Sequence, residues 1–356
     1  MNNTNSTSVE ITYSLLDRFL HLSESLAKKH PVIVVILMHE YFRNMYPEDP
    51  FIESRYADNP LDNINKCLKN NIDILEAFGK VGTYFSGDNS WVAPKSNDDD
   101  DIARMSNLFG SLWQKRFNDK MLDSKKVIVD LFAFNGLDLE SIVKGKSVLD
   151  IGCGSGRFAI ALAQMGAQRV TAVDINDYGL DIARQFSKKS GIENIEFIKH
   201  NVLSLPFPDE SFDFVFSKGV LHHTGDLSAG VDEYSRVLKK GGNGFLYLYA
   251  NGGIYWNSRE KMRKVMKLIP MEFAMKVLDS IGMPSRRTIF VDSWYVPVED
   301  YVTSKFVEEK FREFEYDGVQ RMVSNRPFEL DNIVIKEGQW ARDIWGEGEL
   351  RYFLTK

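Results

Sequence analysis

An α/β fold around a mostly parallel sheet is what the second half of the sequence predicts, and three observations predict it. After Lys144, short apolar runs alternate with amphipathic stretches: SVLDI then FAIALAQM, RVTAVDI then GLDIARQFSKK, IEFIKH, FDFVFS then AGVDEYSRVLKK, and GFLYLYA. Strands separated by helices of about ten to fifteen residues make βαβ units. The first strand runs into a loop carrying Gly152, Gly154 and Gly156, where the chain must turn tightly and let a ligand approach its backbone. The second strand ends in a carboxylate, Asp174, roughly twenty residues beyond that loop. No internal repeat is visible.

The elements ahead of the sheet are helical. The polar start, Met1 to Val9, lacks the charged-then-apolar layout of a signal peptide, and residues 1–10 are expected to be a disordered tail. From Ile11, the residues Leu15, Leu16, Phe19, Leu22 and Leu26 recur on one helical face. Pro31 can open a second helix to about Met45. Asp62 or Asn63 can cap a third, through Ile64, Leu68, Ile72, Leu75 and Phe78. The breaker-rich stretch Gly87 to Asp101 reads as a loop, followed by helical segments over 102–117 and 121–134. The division expected is a helical cap over 11–144 and a sheet domain over 145–356, the latter carrying an insertion or lid at about 250–300.

Composition narrows the function classes. The chain has 356 residues, 44% hydrophobic and 26% charged, with a formal net charge of −6. That is ordinary globular composition without the basic field that nucleic-acid binding requires. Cys67 and Cys153 make no disulfide framework and have no metal-ligand spacing. The four aspartates 98–101 read as a solvated loop, since consecutive side chains do not converge on one ion, and no metal is expected. The longest apolar run, Val32 to Met38, is too short to cross a bilayer, so a soluble cytoplasmic protein is the expectation.

The segment VLDIGCGSGR, residues 148–157, carries the cofactor argument. Nicotinamide and flavin enzymes use similar loops, but the dinucleotide fingerprint needs a glycine where Arg157 stands. Asp150, just before the loop, suits a cationic amine, whereas an anionic pyrophosphate gains nothing from it. Asp174 can accept hydrogen bonds from both hydroxyls of a ribose. The third strand ends at Asn201 and Val202, and the fourth carries the chain across the sheet's carboxyl edge, where ligands sit in open α/β folds.

VLDIGCGSGR, VTAVDIN, LPFPDESFDFVFSKGVLHH and LKKGGNGFLYLY, in this order and spacing, resemble the class I, Rossmann-like S-adenosylmethionine-dependent methyltransferases of the ubiquinone/menaquinone-methylating, small-molecule type. The resemblance covers about residues 109–249, and continues into FREFEYDGVQRMV and GELRYFLTK as the last two strands. It implies a seven-stranded sheet with an antiparallel last strand, flanked by helices, and S-adenosyl-L-methionine as cofactor. It further implies that Asp150, Gly152, Gly154 and Gly156 hold the methionine half. Asp174 with Ile175 then takes the ribose, and Asn201 with Val202 the adenine; the family more often has aspartate at position 201. Lys218, ending the fourth strand, joins this set. Trp113, in FGSLWQKRF, is either a cofactor lid or a residue packed on the sheet.

Methyl transfer from a sulfonium is mainly a matter of alignment, and a base is needed only when the acceptor arrives protonated. His222 and His223 follow the fourth strand and are the candidate bases; a positional role is the alternative. The acceptor pocket is expected from Tyr249, Tyr255, Trp256 and Arg259, and from Trp294 and Tyr295 in VDSWYVPVEDY, with core packing as the competing account. The stretch 257–278 combines Met262, Met266, Met271 and Met275 with basic residues. Such a helix suits a membrane surface or an anionic partner, but is more often an active-site cover with a solvated face. The expected function is methyl transfer to oxygen, nitrogen or sulfur of a small metabolite, sugar or lipid-like acceptor. Protein or RNA modification, and non-catalytic binding of the cofactor, are the alternatives.

Overall fold

The computed structural model describes residues 2–45, 60–81, 124–282, 290, 293–326 and 329–356; Trp113 lies outside them. Contacts divide the chain into two compact units. One comprises Met1–Asn97, Asn251–Val296 and Phe328–Gly346, the other Asp98–Ala250, Pro297–Pro327 and Glu347–Lys356.

The second unit is the sheet. Its strands are β1 (Ser147–Ile151), β2 (Arg169–Asp174), β3 (Ile195–Lys199), β4 (Phe212–Lys218), β5 (Leu238–Tyr249), β6 (Gly318–Met322) and β7 (Glu349–Thr355). They lie in the order β3-β2-β1-β4-β5-β7-β6, and β7 alone runs antiparallel to its neighbours. This is the seven-stranded sheet that the motifs imply. The order reverses at β1 and β4, so their carboxyl ends open a crevice for a ligand.

The crossovers are α6 (Arg157–Gln164), α7 (Asp177–Lys189) and α8 (Leu227–Val237). Two further helices of this unit, α4 (Ser124–Phe134) and α5 (Leu139–Val143), precede β1 and pack on the sheet. Their Ile128, Phe132, Leu139 and Val143 share one core with Val148, Leu162, Phe216 and Phe245. The helix expected to run through LKK, to Lys240, ends at Val237, and β5 starts at Leu238. Glycines 241 and 242 disfavour helix, while Leu238 finds a strand partner in Phe212.

The first unit is helical: α1 (Asn2–Ala27), α2 (Pro31–Met45), α3 (Pro60–Val81), α9 (Gly253–Met266), α10 (Met271–Ser280), α12 (Leu330–Glu337) and α13 (Gln339–Trp345); α11 (Ser304–Glu313) belongs to the sheet unit. The helix begins at Asn2, so the segment expected as a tail is drawn into it, because extending a nucleated helix adds a hydrogen bond per residue. The basic stretch read as one helix is two, α9 and α10, broken at Pro270. Met262 and Met266 are fully buried, and Lys261 pairs with Asp17 of α1. These two thioethers therefore face this unit's own core, while Met271 and Met275 are half-buried.

Two glycines let the chain leave and re-enter this unit at one place. A Cβ on Gly253 would lie 2.3 Å from the Gly346 nitrogen, and one on Gly346 would lie 2.2 Å from the Asn251 carbonyl. Both have positive φ, so a side chain at either is excluded on two counts. Among the described residues, no helix is long and apolar enough to cross a membrane.

Candidate cofactor and acceptor site

The glycine loop between β1 and α6 is held from three sides. Gly152, Gly154 and Gly156 all adopt positive φ. A Cβ on Gly152 would approach Val220 Cγ1 to 2.3 Å, and one on Gly156 would approach Ala183 Cβ to 2.6 Å. Gly179, in the first turn of α7, would meet the Gly154 carbonyl at 2.9 Å. Asn176 caps α7 by accepting from the Gly179 amide at 2.9 Å, so the helix start and the loop are locked together.

Two carboxylates flank this loop. Asp150 is 2% exposed, and its Oδ2 has no hydrogen-bond partner among the described residues. Burial, then the neighbouring Asp174 charge, pushes the Asp150 carboxyl up to about 7, against the Ala159 amide and Arg157, which favour the charged form. Asp174 is raised too, by burial, although the amides of Asn176, Gly154 and Ile175 oppose this. Its Oδ2 accepts from the Gly154 amide at 2.7 Å and its Oδ1 from Asn176 at 2.8 Å. Each carboxylate oxygen offers two lone pairs, so Asp174 keeps acceptor capacity. The Cys153 thiol is pushed well up by burial and by both carboxylates, which keeps it a thiol rather than a nucleophile.

Farther along the edge, Ile175 is half-buried and Val202 buried. The Asn201 side-chain oxygen accepts from the Leu203 amide at 3.0 Å, fixing the turn after β3. Lys218 ends β4 with its ammonium 4.8 Å from the Tyr247 ring centre and 5.7 Å from that of Phe158. Tyr247 in turn donates its hydroxyl to Glu349 at 2.6 Å.

The two histidines occupy a 3₁₀ turn, Leu221–His223, directly after Val220. His222 is fully buried. Its ring stacks on Tyr249 with centroids 3.9 Å apart, and its Nδ1 accepts from the Tyr249 amide at 3.3 Å. His223 is half-buried, and its ring meets His222 at 4.3 Å. Its Nδ1 lies 3.1 Å from the Val298 carbonyl oxygen. Residues 298–302 run along this turn: the Asp300 amide donates to the His222 carbonyl at 2.7 Å, and Val302 bridges to Ala250.

The remaining acceptor candidates belong to the helical unit. Tyr255, Trp256 and Arg259 are buried on α9, and the Trp256 Nε1–H donates to the Trp345 carbonyl at 3.1 Å. Arg259 lies over the Trp256 and Tyr255 rings. Trp294 is fully buried against Phe42 and Phe290, and the half-buried Tyr295 donates to the Ile269 carbonyl at 3.2 Å. These side chains form one aromatic core within that unit, whereas Tyr249 stands with the histidines in the sheet unit.

Sequence reasoning passed over Val220, Gly179 and Val298. Val220 and Gly179 carry no chemistry and matter only through contact with the loop. Val298 acts through its carbonyl, which every residue possesses, so no residue-type signal marks it.

Residues 149–246 match the family model described as a methyltransferase domain. The chain is 34% identical over 131 residues to an uncharacterized methyltransferase, YcgJ, of Bacillus subtilis (strain 168), covering 35% of this chain and 49% of that one. It is 33% identical over 125 residues to a sterol 24-C-methyltransferase of Gibberella zeae, with coverage of 35% and 33%. Against a demethylmenaquinone methyltransferase of Listeria welshimeri it is 36% identical over 108 residues, with coverage of 30% and 46%. The chain thus spans about half or less of the length of these relatives. A parallel sheet closed by one antiparallel strand, with a glycine loop between an acidic strand end and a helix, defines the class I, Rossmann-like methyltransferase domain. This chain carries that domain in its sheet unit.

Proposed function

We propose that the chain is an S-adenosyl-L-methionine-dependent methyltransferase acting on oxygen, nitrogen or sulfur of a small-molecule acceptor. The observation that carries this reading is Asp150: a buried carboxylate whose Oδ2 meets no donor among the described residues, beside a loop that a Cβ would block. A buried acceptor without a donor is costly, and a ligand ammonium answers it. A second carboxylate, Asp174, with spare lone pairs suits a pair of hydroxyls. Two carboxylates repel a pyrophosphate, so the residues fit a sulfonium amino-acid nucleoside better than a dinucleotide.

In this reading Asp150 and the loop amides hold the methionine half, Asp174 with Ile175 the ribose, and Asn201 with Val202 the adenine. Lys218, set between two rings at the end of β4, offers a cation to the ligand's carboxylate. The bound cofactor supplies a methyl group on a positively charged sulfur, already activated for displacement. The protein's contribution is then to exclude water and to align the acceptor. Demethylmenaquinone and sterol methyltransferases among the relatives support a small, partly apolar acceptor, and Tyr249 gives an aromatic wall for one.

Calorimetry with S-adenosylmethionine, its demethylated product and NAD tests the cofactor. Binding of the first two without NAD is expected; NAD bound and S-adenosylmethionine ignored would overturn the reading. Methyl-labelled cofactor incubated with metabolite extracts, followed by mass spectrometry, then identifies the acceptor.

A further inference from the structure

The two histidines are adjacent in sequence and meet edge to face in space, yet their rings are wired oppositely. A carbonyl oxygen only accepts, so the contact with Val298 requires a proton on His223 Nδ1. In the neutral ring this makes Nε2 the basic nitrogen. A backbone amide only donates, so the contact with Tyr249 makes His222 Nδ1 the acceptor and puts the proton on Nε2. His222 is also fully buried beneath the Tyr249 ring. The pair thus divides into one ring that donates to the backbone through Nδ1 and one that accepts from the backbone at Nδ1.

The turn bearing them stands close to the cofactor loop. Val220, whose side chain fills the space beside Gly152, accepts at its carbonyl from the His223 amide at 2.8 Å. The Gly219 amide donates to the Tyr247 carbonyl at 3.1 Å, so both flanks of the turn are tied down. Segment 298–302 clamps the other side through the Asp300 amide and the Val298 carbonyl.

We infer that His223 is the general base of this site, that His222 and the Val298 carbonyl are its positioning groups, and that the acceptor atom is a hydroxyl oxygen. The inference rests on the methyl-transfer reading above and narrows it. A thiolate or a free amine needs no base, whereas an alcohol or phenol must lose its proton as it reacts. As the new carbon–oxygen bond forms, the hydroxyl proton passes to His223 Nε2. The methyl–sulfur bond breaks with its electron pair left on sulfur, so the positive charge moves from the sulfonium to the imidazolium. The Val298 carbonyl, already hydrogen-bonded to Nδ1–H, stabilises that imidazolium.

The first test needs no substrate. In the full-length protein labelled with ¹⁵N-histidine, two-bond proton–nitrogen correlations report which nitrogen of each ring is protonated, and the six histidines are few enough to assign by single substitution. His223 is expected as the Nδ1–H form and His222 as the Nε2–H form; the reverse pattern overturns the assignment. The second test uses the acceptor found with methyl-labelled cofactor in extracts. Its product is expected to be a methyl ether, and a methyl ester or a methylated nitrogen, sulfur or carbon overturns the hydroxyl. His223→Asn keeps a donor for Val298 but lacks Nε2. It should lose about 10²–10⁴ in turnover, while its calorimetric affinity for S-adenosylmethionine stays at the parent value. Turnover near the parent value refutes the base. Absence of S-adenosylmethionine binding in the parent would remove the methyl-transfer reading itself. A parent that binds the cofactor yet labels nothing removes the base with the reaction.

Discussion

Replacing Asp150 by asparagine should do two opposite things. In the cofactor-free protein its carboxyl titrates at about 7, against an ordinary value of 3.8. A folded-state value above the unfolded one means that the native protein holds the proton longer than the unfolded chain. Its contribution to stability is therefore complete below about pH 4, declines as pH rises, and is lost above about pH 7. Three pH units at about 1.4 kcal/mol each make the loss about 4 kcal/mol. An asparagine does not ionise, so Asp150→Asn should remove this slope and leave the free protein more stable than the parent at pH 8. The same variant loses the charged partner of the ligand ammonium, worth about 1.5–3 kcal/mol, or roughly ten- to hundredfold in affinity. Urea denaturation between pH 4 and pH 8, paired with calorimetry using S-adenosylmethionine, reads both effects. Parental affinity should itself fall about tenfold per unit below pH 7, where a proton competes with the ligand. A variant that keeps the parental slope, or that binds the cofactor as tightly as the parent, would refute the assignment of Asp150.

Asp174→Ala should weaken S-adenosylmethionine binding by roughly ten- to hundredfold, and, by removing a neighbouring negative charge, move the midpoint of the pH-dependent binding below that of the parent. Unchanged affinity in calorimetry would place the ribose elsewhere. Gly152→Ala puts a methyl group against Val220 at a positive φ, so it should lose cofactor binding while far-ultraviolet circular dichroism stays parental. Adding Val220→Ala should restore part of that binding; no recovery would mean that the backbone angle, rather than the contact, sets the requirement.

The sheet was legible because its signals are local and redundant. Alternating apolar and amphipathic runs gave β1 to β5, and Asp150, the three glycines and Asp174 each occupy a strand end or a turn where their residue type is required. What escaped the reading depends on contacts distant in sequence. Helix α8 stops at Val237 because Leu238 pairs with Phe212, which no helical periodicity reveals. The aromatic residues of α9 look the same in sequence whether they line a pocket or fill a core, and only the bond from Trp256 to the Trp345 carbonyl separates the two. The opposite protonation of His222 and His223 is set by a backbone amide and a backbone carbonyl, and LHH carries no trace of it.

The helical unit is assembled from three stretches of chain separated by strands of the sheet, and this has a consequence for biosynthesis. Helices α1 to α3 leave the ribosome first, but α9, which packs with α1 and α2, and α13, whose Trp345 donates to the Met45 carbonyl of α2, come later in the message. At about 5–20 residues per second, on the order of 250 further residues take roughly 10–50 s to emerge. Through that interval the apolar faces of α1, α2 and α3 lack their final neighbours and are open to chaperones. The nascent chain therefore completes its N-terminal layer nearly last, and slowing translation within residues 251–346 should prolong its association with holdase chaperones.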